Sequence, residues 1–225
     1  MNISGFSGRA SAGAWVLTFC CLPLWAFQAE GDGLFDHPVK IGQDPVFQEV
    51  GETLQAIPIL RADFEQQKNI RALRRPLRSS GRFLFAKNMG ICWRTLEPFE
   101  NFFIMTPAGM VQRSEDGETF RISADEQPVV HGFVNIFMSL FSGHTDLLEE
   151  QFELFFQGTP TDWTLGLKPR GKIMKKFVTQ IVLRGNRHIE SLDFLEASGD
   201  RTLIRFSGLG GDSALTDEER RQFDF

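Results

Sequence analysis

The sequence contains no tyrosine, although it contains 23 phenylalanines and four tryptophans. A buried tyrosine hydroxyl needs a hydrogen-bond partner, whereas phenylalanine offers only apolar surface. The aromatic side chains therefore favour an interior of purely apolar character. Hydrophobic residues make up 42% of the 225 residues and charged residues 24%. This composition excludes a disordered chain and predicts one or two globular domains with a sizeable core.

Cysteine and histidine are scarce. Two of the three cysteines, Cys20 and Cys21, lie in the apolar N-terminal segment, and Cys92 is the third. Cys92 alone cannot form an intramolecular disulfide in the body of the chain. The four histidines are scattered, without the spacing of a zinc site. We therefore predict no bound metal and no cofactor.

The chain has no excess of positive charge, since 24 basic residues face 29 acidic ones and the net charge is -5. Such a balance argues against a general nucleic-acid binder, which needs a basic field. Two local basic stretches, 71–78 and 168–176, fall at predicted hairpin connections. They are either solvated loops or docking sites for an acidic partner or for anionic lipid headgroups. The docking candidates are Arg74, Arg75, Arg78, Lys172 and Lys175.

The N-terminal segment has the organisation of a secretory signal peptide. Arg9 is the only charged residue before Glu30, and residues 14–26 between them are predominantly apolar. A basic start, an apolar stretch of about a dozen residues and small residues at its end are typical of such signals. Cleavage is predicted after Ala26 or Ala29.

Two other interpretations of this segment are less favoured. A transmembrane anchor needs about 20 apolar residues, and Pro23 and Gln28 interrupt the run. A lipoprotein signal at Cys20 needs a small residue before the cysteine, where Phe19 stands. The sequence therefore predicts a signal peptide over residues 1–29 and export to the periplasm.

The rest of the chain predicts many short strands and a few helices. Residues 45–57 carry apolar residues at helical spacing after an N-cap at Asp44, and residues 129–141 do so after a capping-box pattern at 123–126. Thr216 begins a second capping box, which predicts a short polar helix, and residues 208–211 are predicted as a loop. Ten strands are predicted at residues 59–67, 81–87, 91–95, 101–106, 110–113, 150–157, 163–168, 177–184, 188–195 and 201–206.

This order of elements is not a βαβ pattern. It predicts a mainly β fold with α-helices, in which a strongly curved antiparallel sheet or open barrel has helices over its mouth. The domain organisation that we predict is a flexible lead-in over 30–44, one domain over 45–207 and a polar C-terminal tail over 208–225.

No enzyme motif stands out. Ser142, His144 and Asp146 lie close in sequence, but spacings of two residues do not bring side chains together on a helix. A catalytic triad needs convergence from separate elements. We predict that the protein is not an enzyme, with a secreted hydrolase as the alternative that a nucleophile and a base in one cleft would support.

Several segments, in order, resemble the periplasmic outer-membrane lipoprotein carrier (LolA) family. The family's opening strand reads apolar-x-Ala-x-Phe-x-Gln, as Leu60 to Gln66 do here. The similarity spans roughly residues 45–207. It continues through the glycine-led strand Gly81 to Lys87, Trp93, Pro98, the turn at Pro107 to Gly109, the strand Trp163 to Pro169, and the closing strands from Phe177 to Phe206.

The resemblance implies an incomplete antiparallel β-barrel with helices covering a hydrophobic cavity. Carriers of this family ferry lipoprotein acyl chains across the periplasm and are not enzymes. A family arginine that lies beside a proline and controls the covering helices corresponds to Lys87, which is followed by Asn88. The aspartate of the family's Asp-Gly turn corresponds to Ala108. These departures leave the predicted cavity intact and leave two classes of cargo open, a lipoprotein and another lipid or polyene product.

The cavity candidates are apolar side chains on the strand faces and on the helix 129–141. Each is either an ordinary core residue or part of a cavity wall for acyl chains. We predict that the helix carrying Phe133, Phe137 and Phe141 is a lid over the cavity, and that the protein is a monomer. The candidates are Leu60, Ala62, Phe64, Phe83, Phe85, Trp93, Phe103, Met105, Phe133, Phe137, Phe141, Trp163 and Phe177.

The sequence is compatible with two roles for the protein, a carrier and a sensor or scaffold. A carrier binds an acylated cargo and releases it to an acceptor membrane or protein. A sensor or scaffold uses the same half-barrel to bind a lipid or an apolar segment of a partner protein and does not transport it.

Overall fold

The computed structural model describes residues 33–114, 118–123, 128–211 and 214–223, with the backbone alone at 114 and 128–133. Twelve strands form one antiparallel sheet in the order β1-β8-β9-β10-β11-β12-β2-β3-β4-β5-β6-β7. The sheet is not closed, because β1 and β7 lie at its two edges. The strands are β1 (Pro38–Val39), β2 (Ile59–Asn69), β3 (Leu77–Ala86), β4 (Gly90–Glu97), β5 (Asn101–Thr106), β6 (Gly109–Ser114), β7 (Thr119–Ser123), β8 (Phe152–Thr159), β9 (Asp162–Pro169), β10 (Val178–Gly185), β11 (Ile189–Glu196) and β12 (Arg201–Gly211).

Within the described residues, four α-helices accompany the sheet. They are α1 (Pro45–Gln55), α2 (Pro128–Ser142), α3 (Thr145–Gln151) and α4 (Asp217–Gln222), with single 3-10 turns at Leu34–Asp36 and Met174–Lys176. Among the described residues, no helix is both long and apolar enough to cross a bilayer. The open antiparallel sheet with few helices confirms the predicted fold class.

Helix α1 begins where the sequence predicts. The Asp44 carboxylate accepts hydrogen bonds from the backbone N–H groups of Val46 and Phe47, at 2.8 and 3.0 Å. These bonds satisfy donors that have no partner within the helix, and Pro45 fits the first helical position. The apolar stripe that includes Phe47, Val50 and Leu54 is buried.

Alternation along β2 sorts side chains onto the two faces of the sheet. Leu60, Ala62 and Phe64 belong to the main core, which α1, α2 and α3 share, and we call this side the inner face. The opposite side, the outer face, has two smaller apolar clusters. One, around Phe155, is covered by the 3-10 turn at Leu34–Asp36, and the other, around Cys92, is covered by Phe223 just after α4.

The structure corrects several expectations about elements. Residues 208–211 are not a loop, because β12 continues through them and pairs Gly210 with Arg61 of β2. Residues 145–151 form α3, and the strand predicted from Glu150 begins at Phe152. Two strands were not predicted, β7 and the two-residue β1 within the lead-in. The signal peptide and most of the capping box at 123–126 lie outside the described residues.

The C-terminal residues are held against the sheet. The Thr216 hydroxyl accepts a hydrogen bond from the Glu219 N–H, and the Glu219 carboxylate accepts one from the Thr216 N–H, which confirms the predicted capping box. The same carboxylate binds the guanidinium of Arg61 on β2.

Candidate functional site

Helix α2 packs across the inner face through Phe141. The Phe141 ring lies 4.6 Å from that of Phe83, 6.0 Å from that of Phe85 and 5.9 Å from that of Phe206, measured between ring centroids. Trp93 packs at the edge of Phe83, at 5.6 Å. The aromatic side chains of the sheet are therefore in contact with the helix, and this part of the inner face is filled.

An apolar groove of about 370 Å³ lies beside α2. Ile136 and Phe137 of the helix line one wall, and Ile181, Phe194 and Ile204 of the sheet line the other. The rings of Phe137 and Phe194 stack with their centroids 5.9 Å apart. A volume within the usual range of ligand pockets, with walls of aromatic and aliphatic side chains, suits an apolar chain.

The connection between β9 and β10 forms the open end of the groove. Met174 and Phe177 of this connection line it, and Phe177 is exposed. The backbone carbonyl of Phe177 accepts a hydrogen bond from the Ala197 N–H at 2.9 Å, which links this connection to the one between β11 and β12. The opening therefore lies at the end of the sheet where β10 begins.

The polar side chains that line the groove are few, namely Gln66, Glu196 and Thr202. Glu196 forms an ion pair with Lys68 at 2.7 Å and accepts a hydrogen bond from the Thr202 hydroxyl at 3.4 Å. Glu196 is the one ionisable side chain among the described residues that line the groove. Within the described part of the chain, no group of three or more potential ligands could hold a metal ion. The groove offers apolar contact and no pair of groups for acid–base chemistry.

Lys87 lies at the junction of α1 with the sheet. Its Nζ donates a hydrogen bond to the backbone carbonyl of Gln55, at the end of α1, over 2.8 Å. The Gln55 side chain in turn donates to the carbonyl of Gly143, between α2 and α3, over 2.9 Å. Gly143 has φ of +67°, and a Cβ there would lie 2.6 Å from the carbonyl oxygen of Gly51. The end of α2 is therefore in close backbone contact with α1.

The predicted cavity residues fall into three groups. Phe137 and Phe177 line the groove. The side chain of Phe133 lies outside the described residues. The other ten belong to the main inner-face core, with Trp93 and Phe103 only partly buried, and they are Leu60, Ala62, Phe64, Phe83, Phe85, Trp93, Phe103, Met105, Phe141 and Trp163.

Trp163 is held by a polar contact as well as by packing. Its indole N–H donates a hydrogen bond to the carbonyl of Asn186 over 2.5 Å, at the turn between β10 and β11. This turn lies at the end of the sheet away from the groove opening. Trp163 therefore anchors the far end of the core.

Sequence reasoning missed most of the groove wall. Ile136, Met174, Ile181, Phe194 and Ile204 all line the groove. Ile136 lies within the predicted helix 129–141, and Phe194 and Ile204 lie within predicted strands. Ile181, Phe194 and Ile204 lie on the same face of three neighbouring strands. To select them from the sequence, one would need the register of β10 with β11 and of β11 with β12.

The predicted docking residues lie in or beside two connections at the same end of the sheet. Arg74 and Arg75 belong to the connection between β2 and β3, and Arg78 is the second residue of β3. Lys172 and Lys175 belong to the connection between β9 and β10. All five side chains are exposed.

An unclosed antiparallel sheet, with helices on its inner face and an apolar groove beside one of them, defines a helix-covered half-barrel. Residues 42–219 match the family model described as outer membrane lipoprotein carrier protein LolA-like. The chain belongs to this LolA-like family, which confirms the resemblance found in the sequence. Membership supports a lipid- or lipoprotein-binding protein of periplasmic type rather than an enzyme.

Several solved structures are similar to this chain at low identity. A LolA superfamily protein from Nitrosomonas europaea is 10% identical, with a TM-score of 0.45 over 78% of this chain and 97% of its own. An outer membrane lipoprotein-sorting protein domain from Vibrio parahaemolyticus is 12% identical, with a TM-score of 0.43 over 79% and 97%. The MucA/MucB complex from Pseudomonas aeruginosa is 11% identical, with a TM-score of 0.46 over 76% of this chain and 57% of the matched chain. No curated protein matches the chain.

Proposed function

We propose that this protein is a periplasmic, non-catalytic carrier that binds the acyl chain of a lipoprotein or related lipid and hands it on toward the outer membrane. The groove beside α2 is the observation that carries the proposal, since its walls are apolar and it is open at one end. The family model that matches residues 42–219 supports the same class of ligand. A non-lipoprotein lipid or a polyene is an alternative cargo of the same chemistry.

The energetics of acyl-chain binding favour a movable cover. Each methylene removed from water contributes about 0.8 kcal/mol, so a long acyl chain gains on the order of 10 kcal/mol before ordering costs. A rigid open cavity would hold such a chain too tightly for transfer. Side chains of α2 that fill the inner face compete with the cargo and lower its net affinity. We therefore assign α2 the role of the lid, with Phe137 and Phe141 as the competing side chains.

The test of the groove is the variant Phe137→Glu. A carboxylate at this position adds charge to the apolar wall opposite Phe194, which opposes acyl-chain entry. We expect binding of a fluorescent long-chain fatty acid, measured by titration without membranes, to fall by at least about tenfold. The circular dichroism of the sheet should remain that of the unaltered protein.

Leu147→Glu is the matched control, because Leu147 is an exposed apolar residue of α3 that does not line the groove. Unaltered fatty-acid binding by Phe137→Glu would contradict the assignment of the groove. An equal loss of binding in both variants would also count against it, because the effect would then not depend on the groove.

A sensor or scaffold would use the same groove without transport. Cargo exchange distinguishes the two functions. Protein loaded with a fluorescent acyl chain is mixed with acceptor vesicles, and transfer is followed by the change in fluorescence. A carrier releases its cargo to the acceptor, whereas retention of the cargo would support the sensor.

A further inference from the structure

Four connections follow one another along one end of the sheet. In the order of the strands, they are the connections β9–β10 (170–177), β11–β12 (197–200), β2–β3 (70–76) and β4–β5 (98–100). We call these connections, with the strand residues that adjoin them, the loop rim. Hydrogen bonds join neighbours along it, from the Ala197 N–H to the Phe177 carbonyl and from the Arg71 N–H to the Asp200 carboxylate, both at 2.9 Å.

The loop rim concentrates large apolar side chains that are exposed. Nine such side chains are exposed among the described residues, and six of them lie here. Phe99 is 74% exposed and Ile173 is 58% exposed. The six are Leu73, Leu77, Leu96, Phe99, Ile173 and Phe177. Single exposed apolar residues are ordinary, but a row of them at the tips of adjacent loops indicates a surface that contacts something apolar.

The same loops carry cations without carboxylate partners. None of six exposed basic side chains of the rim forms an ion pair within the described part of the chain. They are Arg74, Arg75, Arg78, Lys172, Lys175 and Lys176.

Several of the nearby acids are already bonded: Glu100 is paired with Arg94, Glu196 with Lys68, and Asp200 with the Arg71 N–H. Glu97, and Glu150 beside the start of β8, are exposed. Glu118 precedes β7, the edge strand, and so lies at the same end of the sheet but beyond the β4–β5 loop. The cations are therefore concentrated on both sides of the groove opening.

We infer that the loop rim docks this protein on the surface of an anionic membrane. Cations beside exposed phenylalanine, leucine and isoleucine suit a bilayer interface, where basic groups meet lipid phosphates and apolar groups enter the headgroup boundary. A folded acidic protein would account for the cations but not for the protruding apolar tips. The net charge of the chain is -5, so attraction to the membrane arises from this local cluster and orients the molecule.

Docking in this orientation brings the groove opening to the bilayer. Met174 and Phe177 belong both to the groove and to the loop rim, so an acyl chain that leaves the groove there meets the membrane directly. The inference adds a partner to the proposed carrier function. Docking itself requires only the loop rim, so the two can be tested separately.

The experiment is flotation of the protein with vesicles of phosphatidylcholine alone and with vesicles that also contain phosphatidylglycerol. We expect binding to the anionic vesicles only, and weaker binding as salt is raised. The triple variant R74E/R75E/R78E should weaken it on the order of 100-fold, since each basic residue near an anionic surface contributes a factor of about five.

The control variant R187E/R220E/R221E makes the same change of charge elsewhere. Arg187 lies in the turn at the opposite end of the sheet, and Arg220 and Arg221 lie in α4. The fold-loss of affinity for anionic vesicles in this control should be less than a tenth of the fold-loss in the rim variant. An equal loss in both triple variants would overturn the docking surface, because only net charge would then matter.

A second variant tests the apolar part of the rim. F99S/I173S should retain the salt-dependent attraction and lose the binding that persists at high salt. If the unaltered protein does not bind anionic vesicles, the inference is overturned, and an acidic protein becomes the partner that the exposed cations suit. Fatty-acid titration without membranes should be unchanged in both rim variants, so a failure of groove binding would be recognised separately.

Discussion

At the scale of single residues, Arg61 and Glu219 join the outer face of the sheet to α4. The Arg61 Nε and Nη2 atoms donate to the two carboxylate oxygens of Glu219 over 2.6 and 2.7 Å. This two-point pairing is the strong form of a charged hydrogen bond. The bonds from Arg61 hold the pKa of Glu219 at about 2, below its ordinary value of 4.5, and the bonds from Thr216 act in the same direction.

We predict that Glu219→Gln lowers the free energy of unfolding by about 1 kcal/mol at neutral pH, because the pair lies at the surface and is screened by water. The folded-state pKa is depressed, so the stabilisation is present above the ordinary pKa of 4.5 and is lost as the pH falls toward 2. Urea unfolding at a series of pH values measures the difference in free energy of unfolding between the unaltered protein and Glu219→Gln. This difference should be constant down to about pH 5 and should become smaller below it.

Glu218→Gln is the control for this prediction, since Glu218 is an exposed neighbour in the same first turn of α4. It should change the free energy of unfolding by much less at every pH. A difference between Glu219→Gln and the unaltered protein that stays the same down to the lowest pH would contradict the assigned pKa.

At the scale of elements, the junction of α1, α2 and the sheet is held by two hydrogen bonds in series. Lys87 donates to the Gln55 carbonyl, and the Gln55 side chain donates to the Gly143 carbonyl. If α2 is the lid that we propose, these bonds hold the closed arrangement, in which α2 lies against the inner face. On this proposal, we expect a weaker junction to shift the balance toward an open arrangement that accepts cargo.

We predict that Lys87→Met lowers the free energy of unfolding by about 1 kcal/mol and raises the affinity for a fluorescent fatty acid about fivefold. The methionine keeps a long apolar side chain and removes the donor to Gln55. Urea unfolding and fatty-acid titration measure the two effects. Lys87→Arg keeps a donor and should change the affinity less, whereas a loss of affinity in Lys87→Met would show that the junction does not hold the lid closed.

Sequence patterns predicted the helices and strands that depend on interactions between residues close together in the sequence. The Asp44 cap and the apolar stripe of α1 are local, as is the alternation of β2. Helix α3 was missed because Leu147 and Leu148 beside two glutamates fit a helix and the start of a strand equally well. The strand beyond Ser207 was missed because its glycines signal a loop, while its partners in β2 lie far away in sequence.

At the scale of the whole molecule, the two described ends of the chain cover the outer face of the sheet. Leu34 and Phe35 pack on Phe155 and Val182, and Phe223 packs in the cluster that contains Cys92. Burial, with a smaller contribution from Glu219, raises the pKa of the Cys92 thiol to about 12 from an ordinary value of 9.0. The thiol is therefore protonated and inert while α4 is in place.

We predict that Phe223→Asp releases α4 and increases the rate at which Cys92 reacts with a thiol reagent by at least about tenfold. The rate is measured at mildly alkaline pH on protein that begins at Glu30, in which Cys92 is the only cysteine. Arg221→Ala is the control, since Arg221 is exposed on the same helix. A slow rate in Phe223→Asp would mean that other contacts keep the cluster covered.

The candidate site was predictable from the sequence only in part. Phe137 and Phe177 were selected because the residues are large and apolar, and both line the groove. Trp93 and Phe83 were selected on the same ground, but they contact the aromatic cluster around Phe141 instead. Which apolar residues fill a core and which surround a groove depends on where α2 lies over the sheet, and no local pattern contains that information.

The contact at Gly143 has a consequence for how the cover moves. The backbones of α1 and of the turn after α2 approach too closely for even one methyl group to separate them. The two helices are therefore mechanically coupled at this point, so that a displacement of this end of α2 also displaces α1. If α2 is the lid that we propose, we expect its opening to displace both helices together, unless the hydrogen bond from Gln55 breaks first.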